Sequence, residues 1–307
     1  MSVLILGSTQ DAHLSRMRKF LVDKSIDVDF IDIYQGFSSV SYQFDRFSQD
    51  VIINNKSILN YQSIYWRYPV AELLPSDQYS IRQLAEQQEI WNFMMPIDLV
   101  SDISCINPFL ASIKMENNIF QLSHAQNCEL PIPQTVITSD QETVAKFAKY
   151  VGPCIEKSLG MRWDDDNRPV YAARWSEDSV NTGILPKIYQ QHINREHEVR
   201  VYMIGGEVIS VGIELEDSFE SPIDWKLSAS RREPLYCHTS ISEELLCKLK
   251  RFHNEGGMIY AAYDIIIDSV GKEFFLECNP SGNWDFLPKE FSENIIEALS
   301  LVLTEGT

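Results

Sequence analysis

Ala262-Tyr263-Asp264-Ile265-Ile266-Ile267, a short turn, and then Phe274-Phe275-Leu276-Glu277-Cys278-Asn279-Pro280-Ser281-Gly282-Asn283-Trp284 is the stretch from which the rest of the chain can be read. Two apolar runs joined through Asp268-Ser269-Val270-Gly271 predict an antiparallel strand pair. Period-two alternation in the second strand puts Glu277 and Asn279 on one face, and pairing in register brings Asp264 to them. Two carboxylates and an amide oxygen converging in this way are hard oxygen ligands, suited to Mg²⁺ that also holds phosphate oxygens and waters. Taken alone, an acid inside an apolar strand reads as well as a structural or edge residue, and Glu-x-Asn is a weak signal. The longer string with Asn279-Pro280-Ser281-Gly282 carries more.

Outward from this pair, strand signals cluster at Ile188 to Ile193, Val199 to Ile204 and Val208 to Ile213, with Gly205-Gly206 as a hairpin turn. A helix from Ser242 carries Leu245, Leu246, Leu249 and Phe252 on its inner face and stops at Gly256-Gly257, and a final helix spans Glu293 to Leu303. Further upstream, Leu130-Pro131-Ile132-Pro133 forces an extended lead-in to a strand at Thr135 to Thr138. Ser139-Asp140-Gln141-Glu142 reads as a capping box for a helix with Val144, Phe147, Ala148 and Val151, ended by Gly152. A strand Cys154 to Lys157, the loop Ser158-Leu159-Gly160, an acidic turn Asp164-Asp165-Asp166-Asn167 and a strand Pro169 to Ala173 follow. One helical pattern, Leu110, Ile113, Ile119 and Leu122, runs to Gln126-Asn127. The first hundred residues read as a small α/β unit: a buried strand Val3-Leu4-Ile5-Leu6, a helix with Leu14, Met17, Phe20 and Leu21, strands at Val28 to Ile33 and Ser63 to Tyr68, and a helical stretch 80 to 103 broken by Pro96. There is no internal repeat and no low-complexity linker.

The 307 residues are 44% hydrophobic and 23% charged, an ordinary globular balance for two or three modules. Against 26 Lys and Arg stand 44 Asp and Glu, giving a net charge of −18, which argues against a general nucleic-acid or anionic-membrane binder. No apolar run reaches the ~18 to 20 residues of a membrane helix, and the N-terminus lacks a signal-type pattern, so the cytoplasm is the expected compartment. Cys105, Cys128, Cys154, Cys237, Cys247 and Cys278 form no C-x-x-C pair and read as free thiols, not as a disulfide frame or a zinc site.

The spacing of Asp264, Glu277 and Asn279-Pro280 resembles the metal-binding end of the ATP-grasp ligase superfamily. Leu276 to Trp284, the Val3-Leu4-Ile5-Leu6 start and Trp66-Arg67-Tyr68-Pro69 look like the peptide maturases that make microviridin-type graspetides, and the resemblance spans nearly the whole chain. It implies an α/β (α+β) ATP-grasp fold: a Rossmann-like N-terminal domain over 1–107, a small central lid over 108–188 and a C-terminal ATP-clamping domain over 189–307. It also implies ATP and Mg²⁺ as cofactors, with Asp264, Glu277 and Asn279 as metal ligands. Lys114 and Lys157 stand where the family's lysines bind phosphates, and Ser158-Leu159-Gly160 resembles the phosphate-covering loop. Gln190-Gln191-His192-Ile193 matches the hinge whose main chain reads adenine, with Gln191 where a Glu is usual. The resemblance assigns Glu198 to the ribose hydroxyls and Arg200 to the phosphate or acyl-phosphate; a cross-strand ion pair is the plain alternative for the two. Asp224-Trp225-Lys226 resembles a maturase segment whose basic residue faces the reacting phosphate, although Lys226 lacks arginine's bidentate geometry.

His192 and His197 read as strand surface, Asp164 to Asp166 as a solvated turn, Arg231-Arg232 as a loop pair, and Trp66 and Trp284 equally as core aromatics. The leading expectation is a ligase that phosphorylates Asp or Glu side chains of a ribosomal precursor peptide, leader plus core, and closes ester or amide rings with its Ser, Thr or Lys side chains. The alternatives are a ligase joining an amino acid to a small carboxylate or protein terminus, and a catalytically dead module that only binds a leader peptide. Relatives commonly pair, so a homodimer belongs to the same expectation.

Overall fold

Val3 to Leu6 are buried on both faces of their strand because helices and a second layer cover both sides of a parallel sheet. The computed structural model describes residues 2–33, 39–44, 49–67, 81–100, 103–160, 172–176, 185–214 and 234–306, with backbone alone at 81–84, 86, 87, 99 and 100. Tyr68-Pro69, Asp164 to Asn167, Pro169 to Tyr171, Asp224-Trp225-Lys226 and Arg231-Arg232 lie outside the described residues.

Strand β1 (Ser2–Gly7) leads into α1 (Ala12–Asp23), which starts where the Asp11 carboxylate accepts the N–H groups of His13 and Leu14 at 2.8 and 3.1 Å. Strand β2 (Asp27–Asp32) follows, then β3 (Val40–Phe44), β4 (Gln49–Ile53) and β5 (Lys56–Ser57), a small antiparallel sheet absent from the sequence reading. Its first strand is half exposed and carries no clean alternation, so it leaves no apolar signature. β6 (Ser63–Trp66), α2 (Ile81–Met94), α3 (Ile97–Val100) and the three-residue β7 (Ser104–Ile106) complete a parallel sheet of order β2-β1-β6-β7. The break between α2 and α3 falls at Pro96, as the sequence requires.

Next come α4 (Phe109–Glu116) and α5 (Asn118–Asn127), two helices where the periodicity reads as one. Asn117 divides them: its side chain accepts the N–H groups of Ile119 and Phe120, both at 3.0 Å, and restarts the helix in a new direction. β8 (Thr135–Thr138) is followed by α6 (Gln141–Val151), whose cap is Asp140, not Ser139, accepting from the Thr143 N–H at 2.9 Å. β9 (Cys154–Lys157), β10 (Ala173–Arg174) and β11 (Lys187–Gln191) join β8 in an antiparallel sheet of order β10-β9-β11-β8. The last unit runs β12 (Arg195–Ile204), β13 (Glu207–Glu214), β14 (Leu235–His238), α7 (Glu243–Glu255), β15 (Tyr260–Asp268), β16 (Glu273–Asn279) and α8 (Lys289–Glu305). Its sheet is antiparallel with order β14-β13-β12-β15-β16; β14 was not foreseen, and α8 starts four residues before Glu293.

The two faces of this last sheet decide where the site falls. Val199, Val201, Met203, Ala261, Tyr263 and Ile265 pack on Leu245, Leu249 and Phe252 of α7. On the other face, Tyr202, Ile204, Tyr260 and Ala262 pack under α8 and against Leu14, Met17 and Leu21 of the first unit. Along β12 and β15 that second face continues past α8 to Arg200 and then to Glu198, Asp264 and Ile266, which line a cleft. Among the described residues no helix is long and apolar enough to cross a membrane.

Candidate active site

Asp264 lies opposite Glu277 in the β15–β16 pairing, and Asn279 lies opposite Ala262. The Asn279 amide nitrogen is 3.2 Å from Glu277 Oε1 and 3.4 Å from Asp264 Oδ2, so the three side chains expected to hold a metal do converge. Strict alternation would also put Phe275 on the side of Glu277, yet Phe275 is buried with Cys278 against α7. The register shifts between Asp264 and Ile265, leaving Leu276 as an extra residue and turning Glu277 toward the cleft. The backbone of Cys278, between Glu277 and Asn279, is held by Gln121 of α5, which donates to its carbonyl and accepts its N–H, both at 2.8 Å.

Arg200 reaches the same point from β12, with Nη1 2.6 Å from Asp264 Oδ1. Burial works against the guanidinium charge, but Asp264, then Tyr202 and Tyr260, hold its pKa above the ordinary arginine value. Nε donates to the Tyr202 hydroxyl at 3.0 Å, and that hydroxyl donates to the Asn283 carbonyl at 2.7 Å. Arg67 meets the same segment from the first unit: Nη2 donates to Asn283 Oδ1 at 2.6 Å and to the Ser281 carbonyl at 2.9 Å, and Nε pairs with Asp11 at 3.2 Å. A chain of polar contacts therefore runs from the cap of α1 to Asp264. Trp66 and Trp284 are both buried core residues.

The cleft, about 380 Å³, lies between this sheet and the β8–β11 sheet, with Asn118, Gln121 and Leu122 of α5 along one side. Lys157, Ser158, Gly160, Gln190, Gln191 and Ile193 line it from one sheet; Glu198, Asp264 and Glu277 line it from the other. Ile155, Ile188, Ile266 and Leu276 give it an apolar floor between these polar groups. Asn118 ties the phosphate-loop candidate down by donating to the Leu159 carbonyl at 2.8 Å. The Gln191 and His192 N–H groups are already bonded to the Gln134 and Pro153 carbonyls, at 2.8 and 2.9 Å, and Ile193 follows them in the cleft lining.

Lys114 is exposed on α4 and is not among the residues lining this cleft. Lys226 lies outside the described residues. Glu198 pairs with Arg195 of its own strand. Arg174 and Arg195 also line the cleft, and neither was foreseen. Three residues apart on a strand, Arg195 and Glu198 would face opposite ways; the irregularity between Arg195 and His197 brings them together, and nothing in the residue types announces it. His192 is half-buried in the lining, and burial, then Arg174 and Arg195, lower its pKa, so it is neutral there. His197 is exposed.

No family model matches the sequence, and no curated protein matches it. Solved structures do. The chain is similar to a RiPP-associated ATP-grasp ligase from Chryseobacterium gregarium, in complex with ADP and a leader and core peptide, at a TM-score of 0.83 and 16% identity over 100% of this chain and 97% of that one. It is similar to the macrocyclase MdnC from Microcystis aeruginosa MRC, bound with precursor peptide MdnA, at 0.80 and 18%, covering 100% of both chains. The ATP-grasp ligase PsnB, complexed with a phosphomimetic variant of its minimal precursor, Mg and ADP, matches at 0.76 and 19% over 100% of this chain and 98% of that one. The chain has the ATP-grasp fold from end to end, the α/β architecture that the family resemblance implied.

Proposed function

We propose that the protein is an ATP-dependent ligase that activates Asp or Glu side chains of a ribosomally made precursor peptide and closes ester or amide rings with Ser, Thr or Lys side chains of the same peptide. The observation that carries this reading is the convergence of Asp264, Glu277 and Asn279 beside Arg200, with Asp264 and Glu277 lining a cleft between two sheets of an ATP-grasp fold. The donors suit Mg²⁺: two carboxylates, each within 3.4 Å of the Asn279 amide nitrogen, and that amide, all able to offer hard oxygens once the Asn279 amide turns its oxygen inward. Mg²⁺ held by these residues would neutralise charge on the nucleotide's phosphate oxygens.

The remaining roles are those that the family resemblance implies. The hinge at Gln190, Gln191 and Ile193 faces the adenine, Glu198 the ribose hydroxyls, and Lys157 with the Ser158–Gly160 loop the phosphates. Lys114, exposed on α4, and Lys226 keep the places the family resemblance gives them, at the nucleotide's phosphates and beside the transferring phosphate. A peptide carboxylate oxygen attacks the γ-phosphorus and ADP leaves. A hydroxyl or amine of the same peptide then attacks the acyl carbon, inorganic phosphate leaves, and each ring costs the peptide one water. In this reading Arg200 and Lys226 offset negative charge on the phosphate and on the tetrahedral intermediate. The two walls of the cleft keep water from the acyl-phosphate. Domains at 1–107, 108–188 and 189–307, a cytoplasmic location and a homodimer belong to the same proposal; the division is supported by the sheets, which fall into blocks within 2–106, 135–191 and 195–279.

The test is intact-mass spectrometry of a short peptide encoded beside this chain after incubation with protein, ATP and Mg²⁺. Stepwise loss of whole water masses is expected, reduced about 100-fold or more by Glu277→Gln. An unchanged peptide, alongside phosphate release that requires a free amino acid, would replace this reading with a small-substrate ligase. Peptide binding that survives Glu277→Gln, with no mass change in either protein, would leave only a binding module.

A further inference from the structure

We propose a second metal site, for a borderline-soft divalent ion of the zinc class, formed by His124, Cys128 and Glu255 behind the β15–β16 pair and apart from the cleft. His124 and Cys128 lie one helical turn apart at the end of α5, and Glu255 is the last residue of α7. One ligand atom from each falls within 4.8 Å of the other two. Cys128 Sγ is 4.0 Å from His124 Nε2 and 3.7 Å from Glu255 Oε2. Tetrahedral zinc, with bonds of about 2.0 to 2.3 Å, separates such ligand atoms by roughly 3.3 to 3.6 Å, so these two edges need to shorten only by tenths of an ångström. The Phe252 carbonyl oxygen, 3.0 Å from His124 Nε2, or a water supplies the fourth corner.

The surroundings favour a cation of this kind. α5 and α7 both end here, and the carbonyl ends of helices attract positive charge. Arg251 Nε holds Glu255 Oε1 at 2.8 Å and so fixes the carboxylate with Oε2 toward Cys128, an outer-shell contact that orients a ligand. A thiolate and a carboxylate balance a dication. On binding, the Cys128 thiol proton leaves to solvent and the ring proton of His124 moves from Nε2 to Nδ1. The ligand sets would also sort metals: the all-oxygen group at Asp264, Glu277 and Asn279 suits Mg²⁺, whereas nitrogen, sulfur and oxygen together select zinc. The scattered cysteines hid this in the sequence because Glu255 lies 127 residues from Cys128. The consequence is local rigidity: α5 carries Gln121, which grips the backbone between Glu277 and Asn279, so metal joining α5 to α7 fastens the layer behind the carboxylates.

The experiment needs no substrate. Protein free of any affinity tag is stripped with chelator, desalted, exposed to zinc chloride with excess Mg²⁺, desalted again and measured by elemental mass spectrometry. About one zinc per chain is expected, and cobalt in its place should give a thiolate-to-metal charge-transfer band. Cys128→Ser should lose both signals, and His124→Gln and Glu255→Gln should each weaken zinc binding at least tenfold. Cys247→Ser, exposed on α7 outside the cluster, should keep one zinc. Zinc should raise the Tm of the unaltered protein and not that of Cys128→Ser. Glu255 is exposed, so its variant tests the site even if Cys128→Ser folds poorly. No stoichiometric zinc, or zinc and the band persisting in Cys128→Ser and Glu255→Gln, would overturn the proposal whatever the fate of the ligase reading.

Discussion

Asp264 gives its two oxygens two tasks. Oδ1 meets Arg200 at 2.6 Å, and Oδ2 turns toward Asn279 and the cleft. The pair is well covered, with the Arg200 side chain 4% exposed and that of Asp264 12%. Holding a charged guanidinium away from water is unfavourable unless its partner stays charged, and removing one member of such a pair costs about 3 kcal/mol or more. Asp264→Asn keeps the shape and removes the charge, so its unfolding free energy should fall by that amount, read as a lower urea midpoint with the slope unchanged. An unshifted midpoint would mean that water reaches Arg200 and that Asp264 is held for chemistry alone. The metal-site reading adds a second expectation: the same variant should weaken the Mg²⁺ dependence of any ATP turnover, because one hard oxygen charge is gone.

At the level of elements, the site depends on where strands depart from regularity. Glu277 points into the cleft because Leu276 is extra, and Gly282 allows the chain after Asn279 to fold back over β15. A Cβ on Gly282 would lie 2.4 Å from the Cβ of Ala262 and 3.1 Å from Arg200 Nη2. Gly282→Ala should cost about 1 to 3 kcal/mol by overpacking, since a strand methyl cannot swing aside. Ala262→Gly makes room, so the double variant should be less destabilised than the sum of the singles by about 1 kcal/mol, read from a double-mutant cycle. Strict additivity would show that the backbone yields and the contact is soft. The same irregularities mark how far the sequence could be read. Alternation correctly joined Glu277 to Asn279 because both lie beyond the extra residue, and it gave no hint that Phe275 faces the other way. Arg195 escaped notice for the same reason, and β3, β7 and β14 because they are short or half exposed. Caps such as Asp140 and Asn117 shifted or split helices without changing their existence, since one acceptor side chain decides an end and the apolar stripe decides the helix.

For the molecule as a whole, the first and last units are joined by buried polar contacts as well as apolar packing, and this makes the joint sensitive to acid. His13 is buried between α1 and the segment after Asn279, its Nε2 2.9 Å from Asp285 and its ring 4.9 Å from that of Trp284. Burial first, then Arg67 and Arg16, push its pKa down to about 2, so it is a neutral imidazole donating to Asp285. His253 is buried behind β15 with Nδ1 2.7 Å from the Tyr263 hydroxyl, and burial lowers its pKa to about 4. Both folded values lie below the roughly 6.5 of an unfolded histidine, so below that pH the unfolded chain binds more protons than the native one. Stability from these two groups is therefore fully present above about pH 6.5 and declines on acidification, each contributing a slope of about 1.4 kcal/mol per pH unit. The His253 contribution levels off near pH 4, whereas that of His13 continues lower. Urea midpoints between pH 6.5 and 5.5, above the range where most carboxylates protonate, should fall accordingly, and His253→Gln should remove about half the slope while lowering stability at pH 7. A flat profile in that window would mean that both rings take up protons while folded. Under this account acid opens the joint that carries Arg67 and Asn283, and ATP turnover should fail together with the unfolding midpoint, not at a separate pH.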